Sequence, residues 1–104
     1  VNAFKITTNG KTRLMLKTGL REIQQAVGGY AEAIRVADRR GCFWLYCNEE
    51  GKLQDLPVNT LATKLAQEHI GCFDVIVGDC VIMPDDGADD FPEWLKKELI
   101  NANL

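Results

Sequence analysis

The sequence predicts an α+β domain: a small mixed or mainly antiparallel sheet built from β-hairpins and covered by about three helices. Three observations carry that prediction. Apolar and polar residues alternate on both sides of Asn9-Gly10, the strongest short hairpin signal. A six-residue apolar run, Cys42-Phe43-Trp44-Leu45-Tyr46-Cys47, follows a turn at Asp38-Arg39-Arg40-Gly41. Stripes at helical spacing occur at Leu20, Ile23 and Val27, again at Leu61, Ala62, Leu65 and Ala66, and near the end at Trp94, Leu95 and Leu99.

The first arm, Ala3-Phe4-Lys5-Ile6-Thr7-Thr8, has the period of two of a half-buried strand, and Thr12-Arg13-Leu14-Met15-Leu16-Lys17 is its partner. A short helix spans Leu20–Val27, with Thr18 as its expected cap, and Gly28-Gly29 ends it. Alternation resumes in Tyr30–Val36, and the Cys42–Cys47 run completes a second hairpin that reads as the centre of the sheet. Period two puts Cys42, Trp44 and Tyr46 on one face and Phe43, Leu45 and Cys47 on the other, so both faces are expected to be covered and the aromatics to be core.

After Cys47, Asn48-Glu49-Glu50-Gly51-Lys52 has turn chemistry, and Asn59 is placed to cap a helix that runs to Ile70-Gly71. Asp74–Gly78 and Cys80–Pro84 read as a last pair of short strands, or one strand broken by a bulge. Residues 85–104 complete the single domain of residues 1–104 as an acidic loop, Asp85-Asp86-Gly87-Ala88-Asp89-Asp90, and a C-terminal helix docked on the body.

At 104 residues the chain can bury a core without disulfides or a metal. No apolar run approaches the roughly 18 to 20 residues that span a bilayer, and the N-terminal residues lack an export pattern. The expectation is therefore a cytoplasmic protein whose four cysteines are free thiols. The net charge of -3 conceals a division. Residues 1–40 hold eight Lys/Arg against three acids, and residues 41–104 hold four against twelve. Such a split can steer a charged partner if folding keeps the halves apart.

The residues Gly29-Tyr30, Asn48-Glu49-Glu50-Gly51-Lys52, Leu56-Pro57-Val58-Asn59, Ala62 and Gly78 resemble those of a family found in bacteria, phages and plasmids, domain of unknown function 3846. The similarity covers most of residues 1–84. In similar sequences a basic residue often follows the asparagine, where this chain has Thr60. The resemblance implies a small α+β protein of mobile genetic elements, with no reaction attached.

No catalytic constellation is legible. A zinc site needs four nearby soft or imidazole ligands, and no C-x-x-C knuckle exists. Cys42 and Cys47 point to opposite faces of one strand, and His69 is the sole imidazole. The chain has no serine, and a Cys72/His69 pair straddles a helix stop without any reason to align. No cofactor or metal is expected.

The leading expectation is a non-enzymatic binding module that engages a host or phage protein through charged surface, with Glu49, Glu50, Asp85, Asp86, Asp89 and Asp90 as contact residues. The alternative is a sponge-like binder of a small anionic ligand such as a nucleotide, held by Lys17, Thr18, Arg21 and Asn59 near a helix start. A nucleic-acid surface would draw on Tyr30, Arg35, Arg39 and Arg40, against the overall acidity. No membrane partner is expected, and exposed strand edges would permit a homodimer.

Overall fold

The structure, a computed structural model, describes residues 3–102. Its elements are β1 (Ala3–Ile6), β2 (Thr12–Met15), α1 (Leu20–Val27), β3 (Ala31–Asp38), β4 (Gly41–Asn48), α2 (Thr60–Ile70), β5 (Cys80–Pro84) and α3 (Glu93–Asn101). The strands form one antiparallel sheet in the order β2-β1-β5-β4-β3. The expected α+β class and both hairpins are present.

The centre of the sheet is β5, not the second hairpin. Cys80, Val81 and Ile82 are all fully buried, so β5 is covered on both faces, while β3 lies at the edge. The hairpin at Asp38–Gly41 pairs locally, but which of its strands meets the rest of the sheet is decided by burial. β4 presents Phe43 and Leu45 to the core, whereas β3 carries the exposed Glu32, Ala33 and Arg35.

The two faces are covered unequally. On one, Ile6, Val36, Phe43, Leu45, Cys47 and Ile82 pack beneath α2 and α3, which contribute Ala62, Leu65, Ala66, Leu95 and Leu99. The other is covered by α1 alone, through Ile23 and Val27 on Ala3 and Val81. An eight-residue helix is about 12 Å long and cannot roof five strands. Trp44 and Tyr46 are therefore only half-buried, stacked at 6.5 Å with 28° between rings, which corrects the expectation that all three β4 aromatics are core. Phe43 alone is fully buried, edge-on to Trp94 at 6.1 Å.

The cap of α1 is Gly19, with no side-chain hydrogen bond, so Thr18 does not cap this helix. Asp74–Gly78 is not a strand; its pairing is a single bridge, Val77 to Val58. Its backbone is held to α2 instead. Thr63 Oγ1 accepts from Ile76 N at 2.9 Å, and the carbonyl of Ile76 accepts from Asn59 N at 2.8 Å. Among the described residues no helix is long and apolar enough to cross a membrane.

Candidate functional site

Most residues of the family-like motif turn out to build a structural knot. Asn59 is fully buried, and its amide group is saturated. Oδ1 accepts from Ala62 N at 3.0 Å, capping α2, while Nδ2 donates to the carbonyls of Ile6 (3.0 Å) and Gly78 (2.9 Å). One side chain thus ties a helix start to β1 and to the turn before β5. Gly78 takes φ +78°, and its N–H donates to Pro57 O at 2.8 Å. The positive φ calls for glycine, and a Cβ there would also stand 2.8 Å from Leu56 Cδ1 and push that methyl aside. We expect Gly78→Ala to cost about 2 kcal/mol by urea denaturation, the order given by a strained left-handed residue together with overpacking.

Asn48 plays the corresponding role at the end of β4. Its Oδ1 accepts from Glu50 N at 2.8 Å and its Nδ2 donates to Val27 O at 3.2 Å, joining the turn to the last residue of α1. Gly51 lies under Val77, where a Cβ would stand 2.9 Å from Cγ2. The knot leaves the side chains of Glu49 and Glu50 exposed at the corner.

Beside this corner lies a cleft of about 180 Å³ between β3, the end of β4 and the segment that follows α2. Ile34, Cys47, Ile70 and Ile76, buried or half-buried, form its apolar interior. Exposed charges stand around it: Glu32 and Glu49, and the ion pair of Lys52 with Asp74. Hydrogen bonding from Lys52 holds the Asp74 carboxyl below the usual carboxylate range. Leu53, 89% exposed, adds an apolar group to the rim, and Phe73, 100% exposed, immediately precedes the cleft-lining Asp74 in the chain. Neither residue was legible as a contact group, because Phe73 sits within an apolar stretch that reads as the approach to a strand.

The sequence-predicted contact groups fare differently. Asp85 is bound by Arg35 through two hydrogen bonds of 2.9 Å, and these hold its carboxyl below its ordinary range. Asp90 is bound by Lys96 at 3.1 Å and accepts from Phe91 N. Only Asp86 and Asp89 of the acidic loop stand exposed without an ion pair among the described residues. Arg39 and Arg40 reach Glu68 at 3.1 Å each, and Lys5 reaches Asp79 at 3.6 Å. Among the described residues, four of the eight cations of residues 1–40 thus meet acids from the second half of the chain, and the basic patch foreseen from Arg35, Arg39 and Arg40 is engaged in ion pairs.

Of the anion-binding set, Asn59 is inaccessible and its polar atoms are occupied. Lys17 and Arg21 are exposed and Thr18 half-buried at the start of α1. Arg21 lines a shallow hollow with Gln24, Gly28, Gly29 and Tyr30, the last 71% exposed. The structure does not bring Asn59 to that hollow.

All four cysteines are free. Burial, with Glu32 nearby, pushes the Cys47 thiol up to about 11, and burial pushes Cys80 further in the same direction. Cys72 is exposed. Iodoacetamide at pH 8 is expected to alkylate Cys72 within minutes while Cys47 and Cys80 stay unmodified until the chain unfolds, as read by peptide mass spectrometry. Both buried thiols have folded values above an unfolded value of about 8.5. Their protonated form is thus favoured by folding, the stability they contribute is complete below pH 8.5, and it declines as pH rises through about 11 for Cys47. The urea midpoint is expected to fall over that window. Among the described residues no group of three or more His, Cys, Asp or Glu could hold a metal ion.

Comparisons with curated proteins and with solved structures gave no match. A family model, described as a domain of unknown function, matches residues 3–101 and so extends through the acidic loop and α3, beyond the part of the chain whose motif is legible by eye. By that match the chain belongs to the family designated domain of unknown function 3846.

Proposed function

We propose that this chain is a non-enzymatic binding module of a mobile genetic element that engages a host or phage protein through the corner of Glu49 and Glu50 and the neighbouring cleft. The observation that carries the reading is the exposure of Leu53, which lines the cleft, and of Phe73, which directly precedes the cleft-lining Asp74 in the chain. A fully solvated phenylalanine gains about 1.5 to 3 kcal/mol when a partner covers it, and aromatic anchors ringed by polar groups are the usual core of protein interfaces. The mobile-element setting rests on the resemblance of the Gly29 to Gly78 motif to phage and plasmid sequences.

Pull-down from host lysate tests the reading. A double variant, Leu53→Ala with Phe73→Ala, is expected to lose the partner at unchanged thermal stability. Asp86→Asn with Asp89→Asn, which removes the two unpaired acids of the loop, reports whether that loop adds to the contact. Undiminished partner recovery by the Leu53/Phe73 variant would sink the proposal.

A second reading, a binder of a small anionic ligand, is favoured by Arg21 and Tyr30 lining one hollow. A cation and a ring are the groups that hold a nucleotide's phosphate and base. Thermal shift against a nucleotide panel decides it. Ligand at a hundred times its dissociation constant adds about 2.7 kcal/mol, so an unmoved Tm across the panel removes this reading.

A further inference from the structure

We propose that β3 is a docking edge: an extended segment of the partner protein adds to it as a further strand and lays a lysine or arginine side chain into the cleft between Glu32 and Glu49. This inference rests on the binding-module reading and specifies the chemistry of the partner.

The backbone supplies the first half of the argument. Tyr30 O accepts from Glu49 N at 2.8 Å, so the backbone of residue 30 faces β4. By the alternation of an antiparallel ladder, residues 32, 34, 36 and 38 also face β4, and residues 31, 33, 35 and 37 turn their N–H and C=O outward. Ala37 agrees, because its outward N–H lies 3.4 Å from His69 Nδ1, and that imidazole on α2 covers this end of the edge. Ala31, Ala33 and Arg35 are left with outward donors and acceptors at the rim of the sheet, where no further strand lies among the described residues. Such a row is a template for strand addition, and the small side chains of Ala31 and Ala33 leave it accessible.

Charge selects the occupant. Arg35 is neutralised by Asp85, and Lys52 by Asp74. Glu32 and Glu49 have no ion-pair partner among the described residues and flank the same cleft. Side chains of an added strand alternate between faces, and those on the side of Glu32 and Ile34 overhang that cleft. The site therefore offers carboxylates to a cationic head and Ile34, Ile70 and Ile76 to its aliphatic stem, an arrangement suited to Lys or Arg. A second copy of this chain fits less well. Antiparallel pairing of β3 with itself about residue 32 or 33 sets Glu32 opposite or diagonal to its own mate, and like charges so placed repel.

A random peptide library panned on the full chain tests the proposal, with amide exchange followed by NMR. Recovered peptides are expected to carry Lys or Arg among β-branched residues at alternating positions, and to protect the amides of Ala31, Ala33 and Arg35. Ala33→Pro removes one outward N–H while sparing the ladder to β4, and should weaken binding at least about tenfold. Glu32→Lys with Glu49→Lys should turn the preference toward acidic peptides. These two exposed substitutions leave the backbone untouched, so they carry the test even if the proline variant fails to fold.

Recovery of no peptide, peptides without basic preference, or binding that leaves the three amides unprotected would each overturn the proposal. Concentration-dependent protection without any peptide would do so too, by making a second copy the occupant. A lysate partner lost on Phe73→Ala yet retained by Ala33→Pro and Glu32→Lys would leave the binding module standing and remove strand addition.

Discussion

Asn59→Asp will destabilise the fold by about 4 kcal/mol or more, and Asn59→Ala by about 3, in urea unfolding at neutral pH. The alanine variant loses the cap on Ala62 N, worth about 1 kcal/mol, and takes the amide donor from the buried carbonyls of Ile6 and Gly78, leaving Gly78 O the weaker Cys80 thiol at 3.3 Å. Aspartate is nearly isosteric and keeps the cap. It is the harsher change because it replaces the Nδ2 donor with an oxygen aimed at two carbonyl oxygens, so the carboxylate must either be buried unpaired or take up a proton. An order of effects with alanine worse than aspartate would mean that the cap, rather than the link to Ile6 and Gly78, is what Asn59 contributes. Against a domain stability of about 5 to 15 kcal/mol, either variant has a large populated unfolded fraction on warming.

Phe43→Ala is expected to cost about 3 to 5 kcal/mol, whereas Phe73→Ala should change stability by less than about 0.5. The two side chains are chemically identical. Phe43 is fully buried between the sheet and α3, edge-on to Trp94, whose ring carries the Arg40 guanidinium 3.8 Å from its centroid and whose Nε1 donates to Arg40 O at 3.2 Å. Removing the Phe43 ring opens a cavity under α3 and takes away the edge partner of Trp94, so tryptophan fluorescence and the urea midpoint should shift together. Phe73 touches solvent on all sides and so has no folded-state packing to lose. A stability loss at Phe73 comparable to that at Phe43 would show the segment after α2 to be packed, and would remove the apolar anchor from the proposed interface.

Several features were legible because they are local. Asn9-Gly10 and Asp38–Gly41 mark hairpins from their own turn chemistry, and both hairpins form. Asn59 caps α2 as its position before an apolar stripe predicts. Glu49 and Glu50 remain exposed at the corner where turn composition places them. The segment Asp74–Gly78 misled because its β-branched residues satisfy a strand pattern, while its hydrogen bonds go to Thr63, Pro57 and Asn59. A period of two cannot reveal which groups will receive those bonds.

By itself the sequence determined the fold class, the hairpins, the three helical stripes and the Asn59 cap, since each depends on neighbours a few positions away and on backbone sterics. Only the tertiary structure decided that β5 is the centre and β3 the rim, that one short helix leaves Trp44 and Tyr46 half-open, and that Arg35 takes Asp85 out of the acidic loop. These outcomes depend on pairings between residues fifty or more positions apart, such as Arg35 with Asp85 and Asn59 with Ile6. Such pairings are selected by the competition to bury apolar surface over the whole chain. The carboxylates of Glu32 and Glu49 are among those that competition left without an ion pair among the described residues.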